Sequence, residues 1–307
     1  MKINILQLLK NAKGVIVKPY KRLKYLYDIS QSETIVASIG DVLLRRGKFN
    51  HQQFCIFSRI ADVKAYCEKG DRSFTFQNNI DSYYYGELKG IDHQFVELIE
   101  SFKKNGYDTS SLLEADSTLC IMNGTHRVAV SWFFKNSFLK IRVFPYKCAR
   151  PDNIDWYYDS GMPYEILSNI NHQYIEVEEQ LISTGDTFCC LLGGFSIEIL
   201  DRIVEELEAF VKVCKRKRCN AKRIDIGNTA DSLCDYRNNP DNFELVQFVN
   251  RIDPDYGIKK GKLYSRRIED ISRIFNKRYN KEKNKIMIFT CSCYEGKLMH
   301  DKLFPNN

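Results

Sequence analysis

Residues 120–132, CIMNGTHRVAVSW, restrict the fold more than any other stretch of this chain. The apolar run Cys120-Ile121-Met122 reads as a strand, and the run from Val128 reads as a helix. Between them lie Asn123 and Gly124, a pair that turns the backbone, and then Thr125, His126 and Arg127. A strand that passes straight into a helix presents the helix's first N–H groups and the positive end of its dipole at the strand's edge. A hydroxyl, an imidazole and a permanent cation at that point suit an anion, a phosphate above all. Each residue also has a plainer reading. Gly124 relaxes the turn, Thr125 caps the helix, His126 is a surface histidine, and Arg127 pairs with Asp116 or Glu114.

The flanking segments extend the pattern. In DHQFVELIESFKKNGYD, Phe95, Leu98, Ile99 and Phe102 recur at helical spacing, and Gly106 is placed to end the helix. FLKIRVFPY (138–146) alternates as a closing strand. Nearer the N-terminus, TIVASIGDVLLRR (34–46) reads as a strand or short helix before a basic turn. FCIFSRIADVKAYCE (54–68) reads as a strand running into a helix, and SFTFQ (73–77) alternates like a strand. Residues 148–180, rich in Pro, Asp, Asn and Tyr, read as a linker or a long active-site loop. Beyond them TFCCLLGGFS is a buried strand ending in two glycines, a tight βα turn. Ser196 then opens a helix expected to run through SIEILDRIVEELEAFVKVCKRK. AKRIDIGN is read as a strand, PDNFELVQFVNRI and SRRIEDISRIFNKRYNKE as helices, and KIMIFTCSC as a terminal strand. Strands alternating with helices predict an α/β (α+β) fold.

Composition narrows the class. With 44% hydrophobic residues over 307 positions the chain can bury a large core. Its 11 cysteines are odd in number and sit mostly in apolar runs, so they read as reduced, packed thiols of a cytoplasmic protein. No pair has zinc-site spacing, and no metal ligand set is expected. No apolar run is long enough to span a bilayer, and the first residues do not have the form of a signal peptide. Residues 1–32 carry Lys2, Lys10, Lys13, Lys18, Lys21, Arg22 and Lys24 against Asp28 alone. This basic amphipathic segment is either an ordinary first helix or a peripheral contact with an anionic membrane. The net charge of +7 suits anionic partners.

Residues 91–144 together, from FVELIESFKKNGYD to LCIMNGTHRVAVSWFFKNSFLKIRVF, resemble the ParB/sulfiredoxin-like domain. That family places a helix ending near a glycine, a strand, a Gly-x-x-Arg or Gly-x-His-Arg turn opening a helix, and a last strand in this order. The resemblance covers roughly a quarter of the chain and is closest in pattern to the kinase-type, surface-polysaccharide-associated members. It implies a nucleotide-binding domain at 33–150, followed by the 151–180 linker and a second α/β lobe at 181–307. In the turn it implies that Gly124 admits close backbone approach, Thr125 and His126 donate to phosphate oxygens, Arg127 neutralises charge, and Asn123 holds the turn or a metal-bound water.

The activity so implied is transfer of a phosphoryl group from ATP, or another NTP, with Mg²⁺, to a hydroxyl of a small molecule or glycan in bacterial surface-polysaccharide biosynthesis. Phosphoryl transfer also calls for a carboxylate that orients the acceptor. Among Asp81, Glu87 and Asp92 upstream of the motif helix, Glu87 and Asp81 stand where the kinase-type members carry theirs. Arg59 and Arg46 are candidates for holding a substrate phosphate, with a solvated helix-face cation as the plainer reading. The turn lacks sulfiredoxin's cysteine, and no helix-turn-helix follows it, so sulfinate reduction and DNA partitioning are not expected. The alternative is a ParB-like CTP- or nucleic-acid-binding regulator without turnover. Against nucleic acid, the basic run KVCKRKRCNAKR is read as a dipole-matched helix end.

Overall fold

The computed structural model describes residues 24–44, 51–85, 92–108, 110, 112–147, 154–219, 243–250, 255–280 and 285–305. It is a mixed α/β fold with two four-stranded sheets. In the first sheet, β1 (Glu33–Ser38) pairs antiparallel with β4 (Phe138–Val143), β4 pairs parallel with β2 (Leu113–Ala115), and β2 pairs antiparallel with β3 (Ile121–Asn123). Its inner face carries Ile35, Ala37, Leu113, Ala115, Leu139, Ile141 and Val143, all buried. Alternation along each strand sends Val36, Lys140 and Arg142 to the other face. The helices of this half are α1 (24–30), α2 (Ile39–Leu43), α3 (His51–Lys69), α4 (Thr75–Tyr85), α5 (Asp92–Asn105) and α6 (Thr125–Phe133). The centre of their packing is α3, which runs along α6 and against α4.

The second sheet has the order β10-β5-β7-β6 and is antiparallel throughout. Its strands are β5 (Phe188–Gly193), β6 (Val211–Cys219), β7 (Phe243–Asn250) and β10 (Ile286–Phe289). Every residue of β5 and β7 is buried, because helices cover both faces. α11 (Cys293–Leu303) lies on the face of Cys189 and Leu191, while α9 (Ile197–Glu208) and α10 (Arg266–Tyr279) share the core of the other. Gly296 lets α11 approach β5: a Cβ there would stand 1.9 Å from the Thr187 carbonyl. The hairpin of β8 (Tyr256–Lys259) and β9 (Lys262–Ser265) leans on β1.

Between the sheets run α7 (Ile154–Asp159) and α8 (Tyr164–Thr184). α8 packs on α3 through an edge-to-face contact of Tyr174 with Phe57 and an ion pair of Lys64 with Glu176 at 2.6 Å. One buried cluster runs from Ile35 on β1 to Cys293 on α11, so the two halves share a core. Among the described residues, no helix is long and apolar enough to cross a membrane.

Five segments differ from the sequence-based expectation. Residues 164–184 form a helix, not a loop, because Leu167, Ile170, Tyr174, Val177 and Leu181 make an apolar stripe beneath the polar majority. Residues 54–68 lie wholly within α3. SFTFQ opens α4: the Asp62 carboxylate accepts the Phe76 and Gln77 N–H groups at 3.2 and 2.7 Å, and this cap outweighs the local alternation. The helix from Ser196 stops at Glu208, after its last core residue Leu207, and KVCKRK belongs to strand β6. FELVQFVN is β7, its aromatic and β-branched residues buried on both faces. α11 follows the expected terminal strand, with Ser292 as its cap.

A single carboxylate joins the halves. Asp41 on α2 is fully buried and accepts from Cys293 N (2.7 Å) and Tyr294 N (3.0 Å) at the start of α11, and from the Tyr256 hydroxyl (2.8 Å) on β8. It also accepts Ser38 N at 3.1 Å in a capping box. Asp41→Ala leaves these donors buried without an acceptor, and we expect it to lower unfolding stability by roughly 3–5 kcal/mol. Tyr256→Phe, which removes one donor, is expected to cost only about 1 kcal/mol. Denaturant unfolding checks both, and equal losses in the two variants would contradict the role given to Asp41.

Candidate functional site

The turn between β3 and α6 is built as its sequence requires. Gly124 has φ 102° and ψ 20°, a conformation costly for any residue with a Cβ. An added Cβ would also lie 2.4 Å from Leu113 Cδ2. Gly124 is the N-cap, its carbonyl accepting Val128 N at 3.0 Å, and it offers no side-chain acceptor to the first turn. Thr125 is therefore the first helical residue and not the cap. Thr125, His126 and Arg127 carry the N–H groups at the positive end of the helix dipole. The Arg127 guanidinium folds over the turn, with Nη2 3.0 Å from the position of a Gly124 Cβ. Nearby, the Ser110 hydroxyl and N–H hold the Asp108 carboxyl below its usual range, and the charge of Arg127 adds to the effect.

His126 points the other way. Its Nε2 lies 3.0 Å from Arg59 Nε and 2.6 Å from the Gln77 side-chain amide, and its ring meets Phe95 edge-on at 4.6 Å. A guanidinium only donates, so Arg59 Nε–H gives its hydrogen bond to Nε2, and Gln77 Oε1 is the atom 2.6 Å from the same nitrogen. Burial, with the Arg59 cation adding, drives the imidazolium pKa down to about 2. Arg59 itself is only 7% exposed. The roles expected for these two residues thus change. Neither Nε2 of His126 nor Nε of Arg59 is available to a ligand, and together they pin the start of α6 to α3 and α4. Beneath them burial raises the Asp62 carboxyl to about 7, against the N–H groups of Gln77 and Phe76 and the charge of Arg59.

A carboxylate that sequence reasoning did not select stands on the open side of the turn. Register places Glu114 on β2 between Asn123 on β3 and Arg142 on β4. Its oxygens lie 3.4 Å from Asn123 Nδ2, 3.5 Å from Arg142 Nη1 and 2.5 Å from the Tyr25 hydroxyl of α1. The sequence names Glu114 only as one alternative partner for Arg127. The signal that could have found it is the β2–β3 hairpin, which sets Glu114 opposite Asn123. Asp116, the other alternative, closes the hairpin turn by accepting Thr118 N, Thr118 Oγ1 and Cys120 N.

Of the remaining candidates, Glu87 and Arg46 lie outside the described residues, as does the basic segment up to residue 23. Asp81 falls on the α4 backbone, and Asp92 opens α5. Among the described residues, no three His, Cys, Asp or Glu side chains gather as a metal site. Among the described residues, two carboxylates stand near the turn: Glu114, 3.4 Å from Asn123 Nδ2, and Asp108, whose charge interacts with that of Arg127. Comparison of the chain with family models, curated proteins and solved structures finds no match in any of the three.

The Asp62 carboxyl beneath the site makes a stability prediction. Its folded pKa is about 7, raised from 3.8, so its contribution is complete below pH ~4 and is lost as pH rises to about 7. Asp62→Asn cannot titrate. The stability difference between wild type and Asp62→Asn should therefore be more favourable to wild type at pH 5 than at pH 8. Urea midpoints at the two pH values measure it, and a pH-independent difference would show that Asp62 titrates normally in the folded state.

Proposed function

We propose that the chain is an NTP-dependent phosphotransferase, with ATP and Mg²⁺ as the donor complex, acting on a hydroxyl of a small molecule or glycan. The observation that carries this reading is the helix start at Gly124. Gly124 opens the helix with three first-turn N–H groups at the positive end of its dipole, the Arg127 guanidinium lies over it, and the Glu114 carboxylate stands one strand away. In this reading the amides and Arg127 hold the terminal phosphates and offset the charge that develops in transfer. Asn123 orients an oxygen at the mouth of the turn. Mg²⁺ would arrive on the nucleotide and offset phosphate charge there. The resemblance to kinase-type ParB/sulfiredoxin-like members supports surface-polysaccharide metabolism as the setting.

The regulator reading would use the same turn to hold CTP or a nucleic-acid phosphate without turnover. The basic strand β6 gives it little support. Lys212 pairs with Glu178, Arg216 with Asp201 and Glu244, and Lys217 stands over the Phe304 ring.

We expect ATP with Mg²⁺ to raise the melting temperature of the wild type and not that of Arg127→Ala. Ligand at a hundred times its Kd adds about 2.7 kcal/mol to the folded state. The unliganded melting temperature of the variant serves as its folding control. A shift produced by CTP alone would favour the regulator, and no shift with any nucleotide would leave the turn a simple helix start.

A further inference from the structure

Tyr25 sits on α1 with its ring against Phe144 (centroids 6.3 Å apart), which in turn stacks on Tyr146 at 5.5 Å. These contacts aim its hydroxyl at Glu114 Oε1, 2.5 Å away, while the residue stays 44% exposed. The other oxygen of the same carboxylate reaches Asn123, the residue before the phosphate turn. A hydroxyl donating to a carboxylate at the edge of a phosphate site is the arrangement that an acceptor takes in phosphoryl transfer. Attack by the phenolic oxygen releases its proton, and the Glu114 oxygen 2.5 Å away is placed to take it.

Resting on the phosphotransferase reading, we propose that Tyr25 is a self-phosphorylation site and that Glu114 is its base. The phenolic oxygen attacks the terminal phosphorus of an NTP bound at Gly124–Arg127. A new O–P bond forms as the bond to the leaving phosphate oxygen breaks. The nucleoside diphosphate departs, and the phenolic proton passes to Glu114. No further reactant is needed. Because the hydroxyl is already held in place, the reaction avoids the entropy cost of recruiting a diffusing acceptor. Tyr27, two residues along the same helix and therefore on another face, is the built-in comparison. The product carries close to two negative charges and no hydroxyl proton, so it repels Glu114 and turns to Arg142. That exchange uncovers Glu114 for an external hydroxyl.

The test incubates the full chain with ATP labelled at the γ-phosphate and MgCl₂, and locates the label by fragmentation of the peptide that contains both tyrosines. Label is expected on Tyr25, at a rate per chain that does not depend on protein concentration. Tyr25→Phe is expected to abolish it, Glu114→Gln to slow it by at least about a hundredfold, and Tyr27→Phe to leave it unchanged. ATP-induced melting shifts are recorded on the same samples. A shift that depends on Arg127, without label on Tyr25, overturns this inference and leaves the phosphotransferase reading standing. So does label insensitive to Glu114→Gln, or a rate that rises with protein concentration. No shift and no label overturn both.

Discussion

Asp41 is the acceptor on which the arrangement of both halves depends. Its two oxygens receive the first N–H groups of α11, the Tyr256 hydroxyl and the Ser38 capping box. A helix start, a hairpin and the end of β1 therefore converge on one buried group. Burial raises the Asp41 pKa, against those N–H and O–H donors. Asp186, whose side chain accepts Gly40 N at 3.2 Å, is raised to about 7, first by burial and also by the proximity of Asp41. The two acids are thus a coupled pair in which burial opposes a second charge. Gly40 has no room for a Cβ, which would lie 2.3 Å from the Asp186 carbonyl. The joint is close-packed, so a shift in one half is felt in the other.

The same logic, a polar group fixed by donors from several helices, positions the turn. His126 is held neutral by burial and by Arg59, so α6 is anchored through an uncharged acceptor instead of an ion pair. Asp62 fixes the start of α4, and with it Gln77, the other group on His126. Residues 125–127 consequently divide between two sides of one helix start. His126 faces the helices, and Arg127 lies over Gly124. The start of α6 is thereby held by contacts from three other helices, through Arg59, Gln77 and Phe95.

Local chemistry made part of this legible. Asn-Gly at a strand end, the helical spacing after Val128 and the alternation of FLKIRVF each specify one local structure, and β3, α6 and β4 follow. Where two patterns compete, tertiary context decides. FELVQFVN fits a helix by spacing, and burial on both sheet faces makes it a strand. VKVCKRKRC continues a helix by charge, but its Val211 is buried in the core and the segment pairs antiparallel with β7 instead. SFTFQ alternates, yet a carboxylate 13 residues upstream of Thr75 caps it as a helix. The site divides the same way. Asn123 through Arg127 are contiguous and readable, whereas Glu114 depends on strand register and the burial of His126 on helix residues 31–67 positions away in sequence, and neither is written in local spacing.

The distribution of charge around the turn bears on what it can bind. Arg142 is engaged by Glu114, and Arg59 is turned inward to His126. Over the turn itself lie the Arg127 guanidinium and the first-turn amides. A nearby carboxylate is harmful to a bare phosphate. Glu114 beside Asn123 therefore sets a negative charge at the edge of the same turn, one strand from the first-turn amides.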